Sequence, residues 1–150
     1  MEKIFDRILF LMDGSSHAMT AAEFTIRLAA IHQSTVIAVN IIDPNIVNQL
    51  SRFQKDLSLG EVEVELEENG WKYLYYFEEM AADKRVKNFI HLERGNPADR
   101  LVTMAQKYDV DLIILPNSSE HGGTKGVMHT RFVEQIIDYV SCSVMVAPKR

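Results

Sequence analysis

Apolar residues fall along this chain in two alternating patterns, short unbroken runs and helical stripes. Ile8-Leu9-Phe10-Leu11-Met12 is continuous, and Asp13-Gly14-Ser15-Ser16 closes it. Such a run suits a strand buried on both faces, so residues 5–12 are read as the first strand. Ser15 or Ser16 then stands where a hydroxyl can cap a helix. His17 to Ile31 follows as that helix, with Ala18, Ala22, Thr25, Leu28 and Ala29 on one stripe. A β-branched run, Thr35-Val36-Ile37-Ala38-Val39-Asn40-Ile41-Ile42, ends at Asp43-Pro44. One βαβ unit is therefore visible before the chain reaches Asp43.

The middle reads less cleanly. Residues 45–60 carry weak periodicity and predict a loop or an irregular helix ending at Gly60. Glu61-Val62-Glu63-Val64-Glu65-Leu66-Glu67 then alternates with period two, the pattern of a strand. Glutamate is depleted in strands and favours helices, and Leu66, Gly70, Tyr73, Leu74, Phe77, Met80 and Ala81 share one helical face. The sequence therefore predicts a long helix from Glu61 to Ala82.

Regularity returns afterwards. Asn88 to Glu93 is a third strand, ended by Arg94-Gly95-Asn96, and Pro97 sits in the first turn of a helix running to Tyr108. Ala98, Leu101, Val102 and Ala105 supply its buried stripe. Asp111 to Leu115 is a fourth strand, and Ser143 to Ala147 a fifth that lies at a sheet edge. Between them stand a glycine-rich loop, 116–129, and a helix from Thr130 to Val140. Five strands alternating with four helices imply an α/β fold, a five-stranded parallel doubly wound sheet in three layers.

Composition narrows the function. The chain has 150 residues, 47% apolar and 25% charged, which suits one globular domain over 1–150. Sixteen basic against 21 acidic side chains give a net charge of −5, which argues against a nucleic-acid coat. The acidity is local: residues 61–79 hold seven acids against Lys72, leaving the rest of the chain near neutral. Cys142 alone makes no internal disulfide and fits a reducing, cytoplasmic setting. The opening apolar run is too short for a membrane span, and no small-residue cleavage site follows it.

In open α/β sheets ligands bind beyond the carboxyl ends of the strands, where the strand order reverses. The loop after the fourth strand is polar and glycine-rich, and it leads into the helix expected at Thr130. Open N–H groups at Thr130, Arg131 and Phe132 would there form an anion site, with Lys125, His129 and Arg131 adding charge. The plainer reading is a surface loop with an ordinary cap. His91 is expected in the core, and Cys142 as a small packed hydrophobe. His17, His32, His121 and His129 lack metal-ligand spacing, so no metal site is expected. A triad can be drawn among Ser118, His121 and Asp13, but nothing selects it. The crowded aromatics Trp71, Tyr73, Tyr75, Tyr76 and Phe77 exceed one buried stripe, so some must face outward.

Four landmarks together resemble the universal stress protein family: Ile8 to Ser15, Arg94-Gly95-Asn96-Pro97-Ala98, Asp111 to Leu115, and Cys142 to Val146. They stand in the family's order over essentially the whole chain. The resemblance implies a Rossmann-like domain of the adenine nucleotide alpha hydrolase type, commonly a homodimer joined antiparallel through its last strand, here Ser143 to Ala147. It implies ATP or AMP as the cofactor, with Asp13 and Ile41 at the adenine. Pro116, Ser119, His129, Thr130 and Arg131 would lie along the ribose and phosphates.

The family's ATP-binding members carry Gly, two residues, Gly, nine residues, Gly, then Ser or Thr. Counted back from Thr130 those positions are Pro116, Ser119, His129 and Thr130, and only the last conforms. Proline removes an N–H, and an imidazole replaces a glycine's open backbone. Each lost charge-assisted bond costs ~1.5–3 kcal/mol, at least tenfold in affinity. The resulting expectation is a non-catalytic dimeric regulator or ligand-binding module with weak or absent ATP binding. The alternatives are an ATP- or AMP-binding protein, or slow ATPase, using the 116–131 loop, or a site for another anion.

Overall fold

The apolar runs pair into one parallel sheet. In a computed structural model, which describes residues 3–54, 56–117 and 123–150 (backbone course alone for 123–129), five strands lie in the order β3-β2-β1-β4-β5. They are β1 (Arg7–Leu11), β2 (Thr35–Ile42), β3 (Asn88–Arg94), β4 (Leu112–Leu115) and β5 (Ser143–Val146). The helices are α1 (Ala18–His32), α2 (Pro44–Phe53), α3 (Leu59–Asp83), α4 (Pro97–Lys107) and α5 (Gly123–Tyr139). Registers such as Phe10↔Ala38 and Phe10↔Ile114 put β1 at the centre.

Strand side chains alternate between faces, and the alternation sorts the helices into layers. Ile8, Phe10, Met12, Val36, Ala38, Leu112 and Ile114 pack against α1 and against Leu74, Phe77 and Ala81 of α3. Leu9, Leu11, Ile37, Val39, Ile113 and Leu115 pack against Ala98, Leu101, Met104 and Ala105 of α4 and Ile136 of α5. Phe77 is fully buried, its ring centroid 5.4 Å from that of Phe10. Burial of such a ring contributes about 1.5–3 kcal/mol. At the amino ends of the strands, Asp111 Oδ2 accepts from the N–H groups of Asp6 and Arg7, each at 2.9 Å, tying β4 to β1.

Several expectations need correction. Residues 44–53 form a regular helix, α2, which raises the helices among the described residues to five. Asp43 caps it by accepting from Asn45 N–H at 2.9 Å, and Pro44 occupies the first turn. Val47 anchors it in a separate small cluster with Ile42 and Val62. Helix α3 begins two residues before the expected start, because Ser58 accepts from Glu61 N–H at 3.2 Å and donates to the Glu61 carboxylate at 3.3 Å. Ser15 does not cap α1, which has no side-chain cap; its hydroxyl is turned to Asp13. His91 is half-buried rather than core, because β3 is an edge strand, and its ring lies 5.5 Å from Tyr108. Trp71 stacks on Tyr75, while Tyr75 and Tyr76 are exposed as the crowding required. Among the described residues no helix is long and apolar enough to cross a membrane.

Candidate functional site

The order of strands reverses between β1 and β4, and at such a point open α/β sheets place their ligand crevice, beyond the carboxyl ends of the strands. Asp13 continues the row Leu9, Leu11 past the end of β1, and Ile41 continues Ile37, Val39 on β2. Both rows face α4 and α5, and Ile41 packs against the core of that layer. Pro116, buried, follows β4 directly, two residues beyond the Phe10↔Ile114 pair and so beside Met12. Asp13, Ile41 and Pro116 thus come from three neighbouring strands to one end of the sheet.

The β1 turn is closely held. Met12 N–H donates to Val39 O at 2.8 Å, carrying the pairing past the strand. Asn40, only 8% exposed, donates through Nδ2 to Met12 O at 2.8 Å. Asp13 is half-buried, and its Oδ1 accepts from Ser15 N–H at 3.1 Å and from Ser15 Oγ at 2.6 Å. Tyr73 of α3 closes over the turn: a methyl carbon added at Gly14 would lie 3.0 Å from its ring and hydroxyl. The half-buried Asp13 carboxylate is an acceptor at this end of the sheet, which suits a donor such as an amine or hydroxyl and opposes an anion.

The α5 flank departs from expectation. Helix α5 starts at Gly123, so Thr130, Arg131 and Phe132 sit in its interior. Their N–H groups bond to carbonyls four residues back, and the open donors belong to the first turn, Gly123 to Gly126. Thr130 and Arg131 are exposed and stand roughly 10 Å down the helix from its start. The helix start expected at Thr130 is therefore corrected to Gly123, seven residues earlier. Glycine disfavours helix by only about 1 kcal/mol, which did not stop Gly123 and Gly126 from joining it. Ser118, Ser119 and His121 lie outside the described residues, as do the side chains of Lys125 and His129.

Reasoning from the sequence missed Asn40, and it set Gly70 and Tyr73 on a helical face without giving them a part at this turn. A lone amide inside the apolar run Val36 to Ile42 was the available signal. Among the described residues no group of three or more His, Cys, Asp or Glu side chains could hold a metal ion. Cys142 lies at the other end of the sheet. Its thiol is pushed above its ordinary value by burial, with its own backbone bond opposing and the Asp111 charge adding.

The sequence matches the universal stress protein family over residues 4–148. Universal stress protein MJ0531 of Methanocaldococcus jannaschii is 26% identical over 148 residues, covering 99% of this chain and 85% of the relative. A universal stress protein in complex with cAMP is 14% identical, with a TM-score of 0.69 over 97% of this chain and 98% of its own. The universal stress protein from Archaeoglobus fulgidus in complex with dAMP is 15% identical, with a TM-score of 0.67 over 97% and 99%. At those identities the two structures share the fold.

Proposed function

The chain belongs to the universal stress protein family, and from that premise we propose that it is a non-catalytic, ligand-binding regulator of the stress response that holds an adenosine monophosphate in preference to ATP. The observation that carries this reading is the contrast across the cleft. Asp13 and Ile41 offer acceptors and an apolar wall to an adenine. Pro116 and His129 replace the glycines whose backbone would cradle a triphosphate. A single phosphate needs fewer donors, and the first turn of α5 is its natural neighbour. The cAMP and dAMP bound by two proteins of this fold support the same ligand class. In the proposed site Asp13 and Ile41 take the base, Pro116, Ser119 and His129 follow the ribose, and the phosphate lies at the first turn of α5 rather than at Thr130 and Arg131.

The test is direct. Freshly purified protein is denatured and its released small molecules are chromatographed; AMP and ATP are then titrated calorimetrically into ligand-free protein. The proposal expects AMP at least tenfold tighter than ATP. Equal affinity, or ATP turnover in a phosphate-release assay, would sink it.

A second element of the proposal is a homodimer through β5, in the cytoplasm, where the lone thiol stays reduced. β5 is a short edge strand whose Val146 is 38% exposed. Unpaired edges invite pairing, and Pro148-Lys149-Arg150 would limit its length. Sedimentation at micromolar concentration should show a dimer that Val146→Lys dissociates. A monomer in both proteins would remove the dimer from the account.

A further inference from the structure

Helix α3 bears on the β1 turn from two positions one helical turn apart, through Asn40 of β2 at Gly70 and directly at Tyr73. At Gly70 the helix comes so close to the sheet that a methyl carbon there would lie 2.5 Å from Asn40 Oδ1 and 2.8 Å from Leu92 Cδ1. The space left by the missing side chain is filled by the Asn40 amide. Its other end donates to Met12 O at 2.8 Å, the carbonyl immediately before Asp13. Three residues further along α3, the Tyr73 phenol rests on Gly14, immediately after Asp13. Asp13 is therefore bracketed on both sides by groups that α3 sets.

An amide in the middle of a buried strand is costly unless it is bonded. Leu or Val would pack as well in an apolar run, and the sheet's own ladder does not need this amide, since Met12 N–H already pairs with Val39 O at 2.8 Å. What the amide adds is a bond to a carbonyl outside the ladder, at the point where the chain turns into the cleft. We infer that Asn40 is a positioning residue for the ligand site, holding the Asp13 turn in its receiving shape, and that α3 is the element through which that shape is set. The inference rests on the cleft at Asp13 being the binding site, but the shape of the turn can be read without any ligand.

The experiment compares Asn40→Leu and Tyr73→Ala with the parent protein by urea unfolding, by NMR hydrogen exchange at Ser15 N–H, and by calorimetry with AMP. Asn40→Leu should leave the sheet folded, move the Gly14 and Ser15 amide resonances, and lower Ser15 protection about tenfold relative to Val36–Val39. AMP affinity should fall by a similar factor. Tyr73→Ala, a change on the other side of the turn, should move the same two resonances and serves if Asn40→Leu fails to fold. Unchanged Ser15 protection and AMP affinity, with only global stability reduced, would overturn the inference and leave Asn40 a packing residue. If the parent binds no AMP, the nucleotide reading fails, and the Ser15 measurements still decide whether Asn40 and α3 shape the turn.

Discussion

On its β1 flank the cleft is held by a buried amide and a phenol; on its α5 flank the position of the donors depends on where a helix begins. Asn40 reaches the Asp13 turn from β2, and Tyr73 reaches it from α3, which is locked to the sheet through Leu74 and Phe77. Thr130 and Arg131, by contrast, are exposed on the body of α5, while Ile136 carries that helix's burial. A flank tied to the core cannot move without a cost in packing. A flank defined by a helix start takes its donors from the first turn, Gly123 to Gly126, rather than from a residue tied into the core. In the proposed site the base end of the ligand would meet the closely held turn, and the phosphate end the first turn of α5.

The largest effect should come from breaking the tie between α3 and the sheet. Gly70→Val puts branched carbons where Asn40 Oδ1 and Leu92 already stand, and overpacking of this kind costs about 1–3 kcal/mol. Urea unfolding should show that loss, and AMP binding should weaken with it because the Asp13 turn moves. Preserved stability would mean that α3 shifts freely, and the contrast between the flanks would disappear. Asp13→Ala is the next step down. It removes the Oδ1 acceptor of Ser15 and any bond to the ligand, so AMP should bind about tenfold more weakly by calorimetry. Stability should fall by no more than about 1 kcal/mol, since the turn can be hydrated.

How much of this was legible depended on whether the cause was local. The run Thr35 to Ile42 became β2 with the same bounds, because apolar continuity and the polar stop at Asp43 are both written in the chain. The helical reading of Glu61 to Glu67 held against its period-two pattern, and the Ser58 cap on Glu61 N–H that sets the helix start was also present to be read. Helix α2 was not legible from periodicity. Only Val47 is fully buried in it, so its apolar stripe is short and its partner, Val62, lies on another helix. Gly70 was placed on the buried face correctly, but its reason lies in Asn40, thirty residues away, and no local pattern couples the two. The start of α5 was misread because glycines mark loops only on average, and Thr130 offered a cap that the helix does not use.

Smaller effects belong to the α5 flank. Thr130→Ala and Arg131→Ala remove exposed side chains from a helix interior whose N–H groups are already bonded. Each should change AMP affinity by less than about twofold and stability by no more than about 0.5 kcal/mol. A tenfold loss in either would place the phosphate on the body of α5 rather than at its first turn.

The smallest effect is a control at the far end of the sheet, where Cys142 precedes β5. Burial beside Val140 and Val144 raises its thiol, its own backbone bond pulls the other way, and the Asp111 charge raises it again. The folded chain therefore keeps this proton to higher pH than the unfolded chain does. As pH rises through the ordinary cysteine range, the unfolded chain loses its proton first, so stability declines there; below that range the group has no influence. Cys142→Ala should flatten this alkaline decline, measured as urea midpoint against pH. At neutral pH the folded thiol should also alkylate more slowly than the same thiol in urea, because the thiolate is the reactive form. Saturation with AMP should leave the folded rate unchanged, since the thiol and the cleft occupy opposite ends of the strands. A ligand-dependent rate would mean that the whole sheet responds to binding, and that the β1 flank is less rigid than its bonds imply.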